Sequence, residues 1–392
     1  MKDIYILEGA RTPFGSFGGV LKDVGATDLG VTASKEAIRR SGIEPDHIDF
    51  SVVGNVIHTA RNASYLSRHI ALKSGLPITS PSLTVNRLCG SGLQAVISAA
   101  QSIILGEGEA GLACGTENMS QSPYVMYGSR FGTGLKSPQL DDMLWATLTD
   151  EYSGIGMGIT AENIAKKYNI SREDQDEYAL QSQQRASAAR NSGVFQKEIV
   201  PVEIKNRKGS FLITEDEHIR ESTNIEALRK LKPAFETEGT VTSGNASGIN
   251  DGAASLVVAS DSFISKNTKT PLARIVSWSI AGVEPTLMGI GPIPAIQKLL
   301  NKENLTIHDI DLLEVNEAFA SQYLSVEREL GLNREKTNVH GGAIALGHPV
   351  GASGARILYS LILELKRING RFGIASLCIG GGQGIAILVE AC

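Results

Sequence analysis

Cys89 has the surroundings of a reactive thiol. Residues 86–92 read NRLCGSG, and apolar residues follow at helical spacing over residues 93–105. A cysteine at the turn before a helix faces the positive end of the helix dipole, which lowers the thiol pKa and favours the nucleophilic thiolate. A lone cysteine is more commonly a buried structural residue. This segment by itself therefore fits a nucleophile and a core residue equally well.

His348 and Cys378 lie in two further glycine-rich segments. Residues 340–354 read HGGAIALGHPVGASG, and residues 378–384 read CIGGGQG directly after an apolar strand pattern. A histidine held in a turn by glycine and proline is a suitable base for a thiol. Glycine backbone at the carboxyl end of a strand offers free N–H groups to an oxyanion. Asn316 ends another predicted strand, where its amide can orient a water or a carbonyl.

Taken alone, each of these residues has a structural interpretation, as a turn histidine, a strand-end cap or a buried cysteine. Taken together, they form a set in which one thiol accepts an acyl group and the other carries a proton. The seven histidines and four cysteines show no CxxC, HExxH or comparable spacing. We therefore expect no metal site.

Composition excludes several other classes of protein. The chain has 392 residues, 42% hydrophobic and 20% charged, so it can bury a large core and is not disordered. A net charge of −5 argues against nucleic-acid binding. The N-terminal apolar run is too short for a signal peptide, and no stretch approaches the roughly 20 apolar residues of a membrane span. Four scattered cysteines make no disulfide framework, so we expect a cytoplasmic protein with reduced thiols and no membrane partner.

The elements that position these residues are short apolar strands alternating with longer helices. Residues 4–7 and 50–56 have strand patterns, while residues 28–40 and 92–105 have apolar residues at helical spacing. Strands alternating with helices are typical of a parallel sheet covered on both faces. The sequence therefore predicts an α/β protein with a mostly parallel sheet.

The chain also matches itself at a shift of 262 residues. Three segments fall into one register without a gap: IDF at 48–50 with IDL at 310–312, CGSG at 89–92 with GASG at 351–354, and GLA at 111–113 with GIA at 373–375. Isolated glycine matches can arise by chance, but a register kept across strand, turn, helix and strand favours a duplicated α/β half. This register places His348 at the same turn as the Cys89 segment, and two such halves would meet at a shared site.

Residues 119–249 break the duplicated pattern. This stretch combines Ser-, Tyr- and Gly-rich turns with a charged helix near residues 171–190. It predicts an insertion that carries ligand and subunit contacts. We therefore divide the chain into a first half (1–118 with 250–270), an inserted loop domain (119–249) and a second half (271–392).

In motif content and order, the chain resembles the thiolase family. The matching segments are ARTPFG at 10–15, NRLCGSG at 86–92, GTVTSGNASG at 239–248 (with Ser243 where alanine is usual), NEAF at 316–319, GGAIALGHPVGASG at 341–354 and CIGGG at 378–382. These motifs run in family order over nearly the full length. The resemblance implies a thiolase-like fold with two duplicated βαβαβαββ halves, packed as a layered α/β/α/β/α core with an inserted loop domain.

The resemblance also implies a role for each residue in a thioester Claisen condensation or its reverse. Cys89, activated by His348, would take the acyl group as a thioester, and Cys378 would move the α-proton. His348 and a water held by Asn316 would stabilise the enolate. The backbone N–H groups of Cys89 and Gly380 would stabilise the tetrahedral intermediate.

Coenzyme A would bind against the inserted region, as part of the substrates rather than as a resident cofactor. By resemblance, the residues that contact it are Ser247, Met157, Phe235, Ala246, Met288 and Phe319 along the pantetheine and acyl end, with Arg220 at the nucleotide end. The apolar members also fit plain core packing. Residues 120–142 resemble the loop through which family members form tetramers, so we expect a homotetramer, a dimer of dimers.

The activity expected from this resemblance is that of an acetyl-CoA C-acetyltransferase, which interconverts two acetyl-CoA with acetoacetyl-CoA and CoA. A broader 3-ketoacyl-CoA thiolase of fatty-acid degradation is the nearest alternative, because the two differ only in the acyl pocket. Gly156 stands where short-chain members often carry histidine, which widens the pocket, whereas Met157 and Met288 favour a short chain. A carrier-protein β-ketoacyl synthase and a non-catalytic lipid-binding member fit less well, because Cys378 and the other reactive residues are all present.

Overall fold

Helices and strands alternate along the chain, as the apolar patterning predicts. The computed structural model describes residues 3–135, 137–206 and 209–392. In these ranges the strands are β1 Ile4–Arg11, β2 Gly15–Ser16, β3 Phe50–Gly54, β4 Ser82–Val85, β5 Ala110–Asn118, β6 Tyr124–Val125, β7 Asp141–Asp142, β8 Thr149–Asp150, β9 Ile155–Gly156, β10 Val202–Asn206, β11 Gly209–Ile213, β12 Asn250–Ser260, β13 Ala273–Gly282, β14 Leu312–Val315, β15 Phe372–Ile379 and β16 Gln383–Ala391. The helices are α1 Ala26–Ser41, α2 Leu66–Lys73, α3 Ser91–Leu105, α4 Met143–Leu148, α5 Met157–Lys167, α6 Arg172–Asn191, α7 Ile225–Arg229, α8 Asp261–Asn267, α9 Pro292–Glu303, α10 Ala320–Leu330, α11 Ala343–Leu346 and α12 Ser353–Ile368.

The main sheet has ten strands and mixed direction. Its order is β14-β15-β16-β13-β1-β12-β5-β3-β4, with the short β2 beside β12. Only the β14–β15, β3–β5 and β3–β4 pairs are parallel. The prediction of a mostly parallel sheet is therefore wrong. One physical reason is the turn between β15 and β16, where Gly381 and Gly382 adopt positive φ, because so short a turn can join only antiparallel strands.

The duplication predicted from the 262-residue register is present in the structure. Strand β14, helix α12 and strand β15 each begin 262 residues after β3, α3 and β5. Within each half the last strand lies beside the first, and the two halves join where β1 pairs antiparallel with β13. Within the part of the chain that the structure describes, strand β4 is not repeated in the second half, where β14 has in its place only a single bridge between Leu313 and Thr337.

Helices α3 and α12 form the central layer between the two half-sheets. A Cβ on Gly92 would lie 2.7 Å from the backbone nitrogen of Ala355, so glycine permits this close approach of the helices. Residues from α3, α12 and the strands of both halves form one apolar core. The outer layers consist of α1 and α2 on the first half and of α9 and α10 on the second. The layered α/β/α/β/α fold is therefore confirmed.

Helix α3 is apolar around most of its surface because the core surrounds it. By length and composition, residues 88–105 would suffice to cross a membrane, and 56% of this segment is buried inside the protein. The helix ends at Gly106, which has a φ of +84°. Packing between the two half-sheets accounts for its composition.

The chain between β5 and β12 carries α4 to α7 and leads back into the first half, where β12 pairs with both β5 and β1. The predicted charged helix is α6, which Ser171 and Asp174 begin with a reciprocal capping box. Lys136, Arg207 and Lys208 of this stretch lie outside the described residues, Lys136 within the predicted tetramer loop. The proposed domain boundaries stay a prediction.

Candidate active site

Cys89 lies in a tight turn directly before α3, and it is partly exposed. The Ser91 hydroxyl fixes this turn, because it accepts a hydrogen bond from the Arg87 N–H (2.8 Å) and donates one to the Leu88 carbonyl (2.7 Å). Leu88 has a φ of +47°, an unfavourable conformation for a side chain branched at Cγ. Such strain next to a reactive residue is common at functional sites.

The thiol of Cys89 is neutral in the resting protein. Burial raises its pKa to about 11, although hydrogen bonds from the backbone N–H groups of Gly380 and of Cys89 itself lower the pKa in part. Apolar side chains surround the turn, among them Val56, Leu144 and Val350. The expected net lowering of this pKa is not found, because the apolar surroundings disfavour the thiolate more strongly than the backbone N–H groups favour it.

His348 is buried and holds its proton on Nδ1. This nitrogen lies 2.6 Å from Ser353 Oγ, and the Ser353 hydroxyl donates to the Pro349 carbonyl at 2.9 Å. Since its hydroxyl proton is committed there, Ser353 accepts from His348, and Nε2 is left as the unprotonated, basic nitrogen. Burial, followed by the charge of Arg356, lowers the pKa of His348 to about 3, so the imidazole is neutral at physiological pH.

Asn316 lies beside the basic nitrogen of His348. Its Nδ2 is 3.5 Å from His348 Nε2, and its backbone N–H donates to the Ser376 carbonyl at 2.9 Å. The buried Oδ1 of Asn316 has no hydrogen-bond partner among the described residues. A buried amide oxygen without a partner is suited to accept a hydrogen bond from a water molecule.

Cys378 lies near the end of β15, in a second apolar cluster. It is buried and packs with Met288, Phe319 and Met157. Burial and then the nearby Cys89 thiol raise the pKa of Cys378. Cys89 of the first half and Cys378 of the second half therefore lie close together, and both thiols are protonated at rest.

The structure brings the five predicted catalytic residues together. Gly380 directs its N–H to the sulfur of Cys89, Cys378 lies close to the same thiol, and Asn316 reaches His348. The His348 segment joins the site through Val350, which packs in the Cys89 cluster. The roles of these residues are treated below as proposals.

The residues predicted to contact coenzyme A fall into two places. Most surround Cys378, in the cluster that contains Met157, Ala246, Met288 and Phe319. Phe235 stacks edge-on against the Phe319 ring at 6.2 Å. The backbone N–H of Ser247 donates to the Ala318 carbonyl at 2.9 Å, which fixes the 243–248 loop beside this cluster.

Arg220 lies in a separate cavity of about 620 Å³. Other residues that line it are Arg190, His218, Ser243 and Gly244. The 243–248 loop therefore reaches from this cavity to the Cys378 cluster, since Ser243 lines the cavity and Ala246 packs near the thiol.

Sequence reasoning missed Glu117, a buried carboxyl beneath the catalytic turns. Its two oxygens accept hydrogen bonds from the N–H groups of Val56, Ile57 and Gly351 and from the Asn55 amide, at 3.0–3.1 Å. Burial raises the pKa of Glu117 to about 8, while these donors favour the ionised form. Glu117 thus ties the turn after β3 to the segment that follows His348. Local sequence gives no signal for this role, because the partners come from distant segments.

Ser353 and Asn250 were also missed. Ser353 orients the imidazole of His348, and the Asn250 side chain accepts a hydrogen bond from the His348 backbone N–H at 2.9 Å. The 262-residue register held a signal for Ser353, since it matches Ser91 of the Cys89 turn.

In the described residues, no three His, Cys, Asp or Glu side chains are grouped as metal ligands.

Comparison with known proteins identifies the family. Family models described as "Thiolase, N-terminal domain" and "Thiolase, C-terminal domain" match residues 4–262 and 269–391. Human "3-ketoacyl-CoA thiolase, mitochondrial" is 50% identical over 392 residues, covering 100% of this chain and 99% of the relative.

Two solved structures agree with the sequence matches. Human mitochondrial 3-ketoacyl-CoA thiolase in complex with CoA has a TM-score of 0.97 at 49% identity, covering 100% of this chain and 98% of that chain. Acetyl-CoA acetyltransferase of Bacillus anthracis has a TM-score of 0.97 at 47% identity, covering 100% of this chain and 99% of that chain. The motifs, the fold, the family models, the relative and the solved structures lead to one conclusion: the chain belongs to the thiolase family of acyltransferases.

Proposed function

We propose that this thiolase cleaves 3-ketoacyl-CoA substrates longer than acetoacetyl-CoA, with CoA as the acyl acceptor. The observation that carries the chemistry is the meeting of two neutral thiols, one of which faces the N–H of Gly380 while the other lies close to it. The substrate range is supported by the glycine at position 156 and by the name of the human relative at 50% identity.

In the first half-reaction, Cys89 attacks the 3-keto carbonyl. His348 Nε2 takes the thiol proton, which it can accept because Nδ1 already donates to Ser353. The bond between C2 and C3 of the substrate breaks, leaving the acyl group on Cys89 and the enolate of acetyl-CoA. Cys378 gives its proton to the enolate carbon, and acetyl-CoA leaves.

In the second half-reaction, CoA releases the acyl group. The Cys378 thiolate takes the proton of the CoA thiol, and the resulting CoA thiolate attacks the thioester on Cys89. Cys89 leaves as a thiolate and regains its proton from His348, so every group returns to its starting state. The raised pKa of Cys378 suits it to both tasks, as a thiol that donates and a thiolate that is strongly basic.

Two oxyanion sites serve these steps. The protonated Nε2 of His348, with a water on the unpartnered Oδ1 of Asn316, stabilises the enolate oxygen. The N–H groups of Cys89 and Gly380, which already point at the sulfur of Cys89, stabilise the tetrahedral intermediate at the acyl carbonyl. Losing one such donor typically costs about 10²–10³ in rate.

Coenzyme A is proposed to occupy the cavity around Arg220 with its nucleotide end. Arg190 and Arg220 supply positive charge for phosphate groups, and the 243–248 loop leads from this cavity to the Cys378 cluster. The structure of the human relative in complex with CoA supports CoA binding by this fold, which superposes on this chain with a TM-score of 0.97.

The acyl chain is proposed to lie in the apolar groove beside Cys89. Three partly exposed side chains, Leu88, Met143 and Leu148, pack against the cluster that contains this cysteine. Gly156 pairs with Thr149 in the adjacent hairpin, next to the backbone of Leu148. The missing side chain at position 156 leaves this end of the groove open to an acyl chain.

A second candidate is the acetyl-CoA C-acetyltransferase expected from the sequence. Met157 and Met288 both line the Cys378 cluster, where they narrow the acyl end, and the acetyl-CoA acetyltransferase of Bacillus anthracis is 47% identical. The comparisons support the 3-ketoacyl-CoA thiolase better, so substrate preference is the deciding measurement.

Replacing Gly156 with histidine is expected to move the preference toward acetoacetyl-CoA. The imidazole would fill the groove beside Leu148, so cleavage of a six- or eight-carbon 3-ketoacyl-CoA should fall by about tenfold or more relative to acetoacetyl-CoA, the size of effect that added bulk has in a hydrophobic pocket. The measurement is CoA-dependent cleavage of both substrates, compared by kcat/KM in the wild type and the variant.

Gly156→Ala is the matched control for this substitution. Gly156 has an extended backbone with φ −76°, and a Cβ there would meet Leu148 O at 3.7 Å, so alanine fits without strain. Alanine should leave the wild-type preference nearly intact. A wild type that cleaves only acetoacetyl-CoA would instead establish the second candidate.

We propose a homotetramer formed through residues 120–142. The segment exposes large apolar side chains, including Tyr127, Phe131 (95% exposed) and Leu135, which is typical of a surface that another subunit covers. Replacing Phe131 and Leu135 with aspartate is expected to reduce the native mass from four subunits to two in light scattering. Leu105→Asp, at another exposed apolar side chain, is the control, and an unchanged mass in the double variant would contradict the proposal.

A further inference from the structure

Arg356 and Glu314 form a buried ion pair in the second half. Arg356 Nη1 lies 3.4 Å from Glu314 Oε2, and only 2% and 8% of the two side chains are exposed. Burial lowers the pKa of Arg356 and raises that of Glu314, so burial disfavours both charges, and the charge of each partner opposes the shift of the other. Buried pairs of this kind are often no more stable than apolar replacements, so their presence calls for another reason.

The pair joins the two elements that hold His348 and Asn316. Arg356 lies on α12, about one helical turn after Ser353, which accepts the hydrogen bond from His348 Nδ1. Glu314 lies on β14, two residues before Asn316. The distance between these elements therefore determines the separation of His348 Nε2 and Asn316 Nδ2, which is 3.5 Å.

The duplication provides an internal comparison. In the first half, 262 residues earlier, Gln94 and Val52 occupy the positions of Arg356 and Glu314. Gln94 accepts a hydrogen bond from Arg87 and makes no buried ion pair. The same helix-on-strand packing thus forms with uncharged residues. The ion pair is found in the half that carries the histidine and the asparagine, so the fold does not require it.

The surroundings of Arg356 also differ from those of a purely stabilising arginine. Its Nε and Nη2 atoms are buried with no hydrogen-bond partner among the described residues. The other charged groups that act on it are Glu198 from the inserted segment, Glu317 after β14 and Arg11 on β1.

We propose that the Arg356–Glu314 pair is a positioning device that sets His348 against Asn316 for enolate stabilisation. The inference rests on the proposed function, because it assigns His348 and Asn316 to one oxyanion site. The Arg356 charge also lowers the pKa of His348. Nε2 is therefore unprotonated at rest, and once it has taken the Cys89 proton it is a stronger hydrogen-bond donor to the enolate oxygen.

The test is the double variant Arg356→Gln/Glu314→Val, which places the residues of the first half at the matching positions of the second. With both charges removed, the melting temperature should stay near that of the wild type. We expect kcat for thiolysis to fall at least tenfold with little change in KM. The acid limb of Cys89 alkylation by iodoacetamide should move to higher pH, because His348 loses a cation that lowers its pKa.

Two comparison variants make the result decisive. Arg356→Lys keeps the charge and should recover much of kcat, whereas Arg274→Met, which breaks the Arg274–Glu390 pair between β13 and β16, should leave kcat unchanged. A folded double variant with wild-type kcat and an unmoved alkylation profile would overturn the inference. A wild type inactive on every 3-ketoacyl-CoA would overturn the proposed function instead, and the alkylation profile would still test the pair.

Discussion

The Cys89→Ala variant is expected to form no acyl-enzyme and to lose thiolysis by about 10⁴-fold or more, since the covalent step has no substitute. Cys89 is the partly exposed cysteine of the site, before α3 and facing the N–H of Gly380. Cys114 is buried in the core beside Ser34 and Ser255 and has no access to substrate. Cys378 is buried, and burial and the nearby Cys89 thiol raise its pKa, so little of its nucleophilic thiolate is present at rest.

The measurement is intact mass after incubation with acetyl-CoA, followed by peptide mapping of the acetylated residue. Cys392→Ala is the control, because it removes an exposed thiol at the C-terminus and should leave acetylation of Cys89 unaffected. Acetylation of Cys114 or Cys378 in the Cys89→Ala variant would contradict the assignment of the nucleophile.

The Cys378→Ala variant is expected to separate the two half-reactions. Acetyl-CoA should still acetylate Cys89, because His348 supplies the base and CoA can leave as a thiolate that solvent protonates in place of Cys378. Carbon–carbon bond formation should fall by about 10²–10⁴-fold, the usual contribution of a positioned acid or base. The physical reason is that Cys378 is a buried thiol next to Cys89, where it can give a proton to the enolate carbon or take one from it.

Two readings are needed for Cys378→Ala. Mass analysis reports acetylation of Cys89, and uptake of solvent deuterium into the methyl group of acetyl-CoA reports removal of the α-proton. Acetylation should persist while deuterium uptake and acetoacetyl-CoA formation are lost. Near-normal condensation in this variant would remove Cys378 from the mechanism.

The duplication was predictable from the sequence because short segments of the two halves match at a constant shift of 262 residues. The register of 262 residues predicted where α12 and β15 begin, and the structure confirms both starts. The direction of the strands was not predictable in this way. An apolar run has the same pattern in a parallel and in an antiparallel pair, and β12 and β16 both became antiparallel neighbours.

The site was likewise predictable only in those features that depend on local sequence. Motif order predicted Cys89, His348 and Cys378, and the structure brings their segments together where the two halves meet. Their roles in catalysis and the cytoplasmic location of the protein stay predictions. That burial raises the pKa of Cys89 to about 11 could not be predicted from local sequence, because the apolar side chains around it include Val56, Leu144 and Val350, which are distant along the chain.

Residue patterns were therefore enough to predict the elements, their duplication, the family and the candidate catalytic side chains. Each of these depends on residue types and spacings within short segments. Only the tertiary structure decided the mixed direction of the sheet, the Nδ1–H form of His348, the part played by Glu117 and the pairing of Arg356 with Glu314. These depend on which distant segments meet and on how little water remains between them, because burial and neighbouring charges set the protonation of each group.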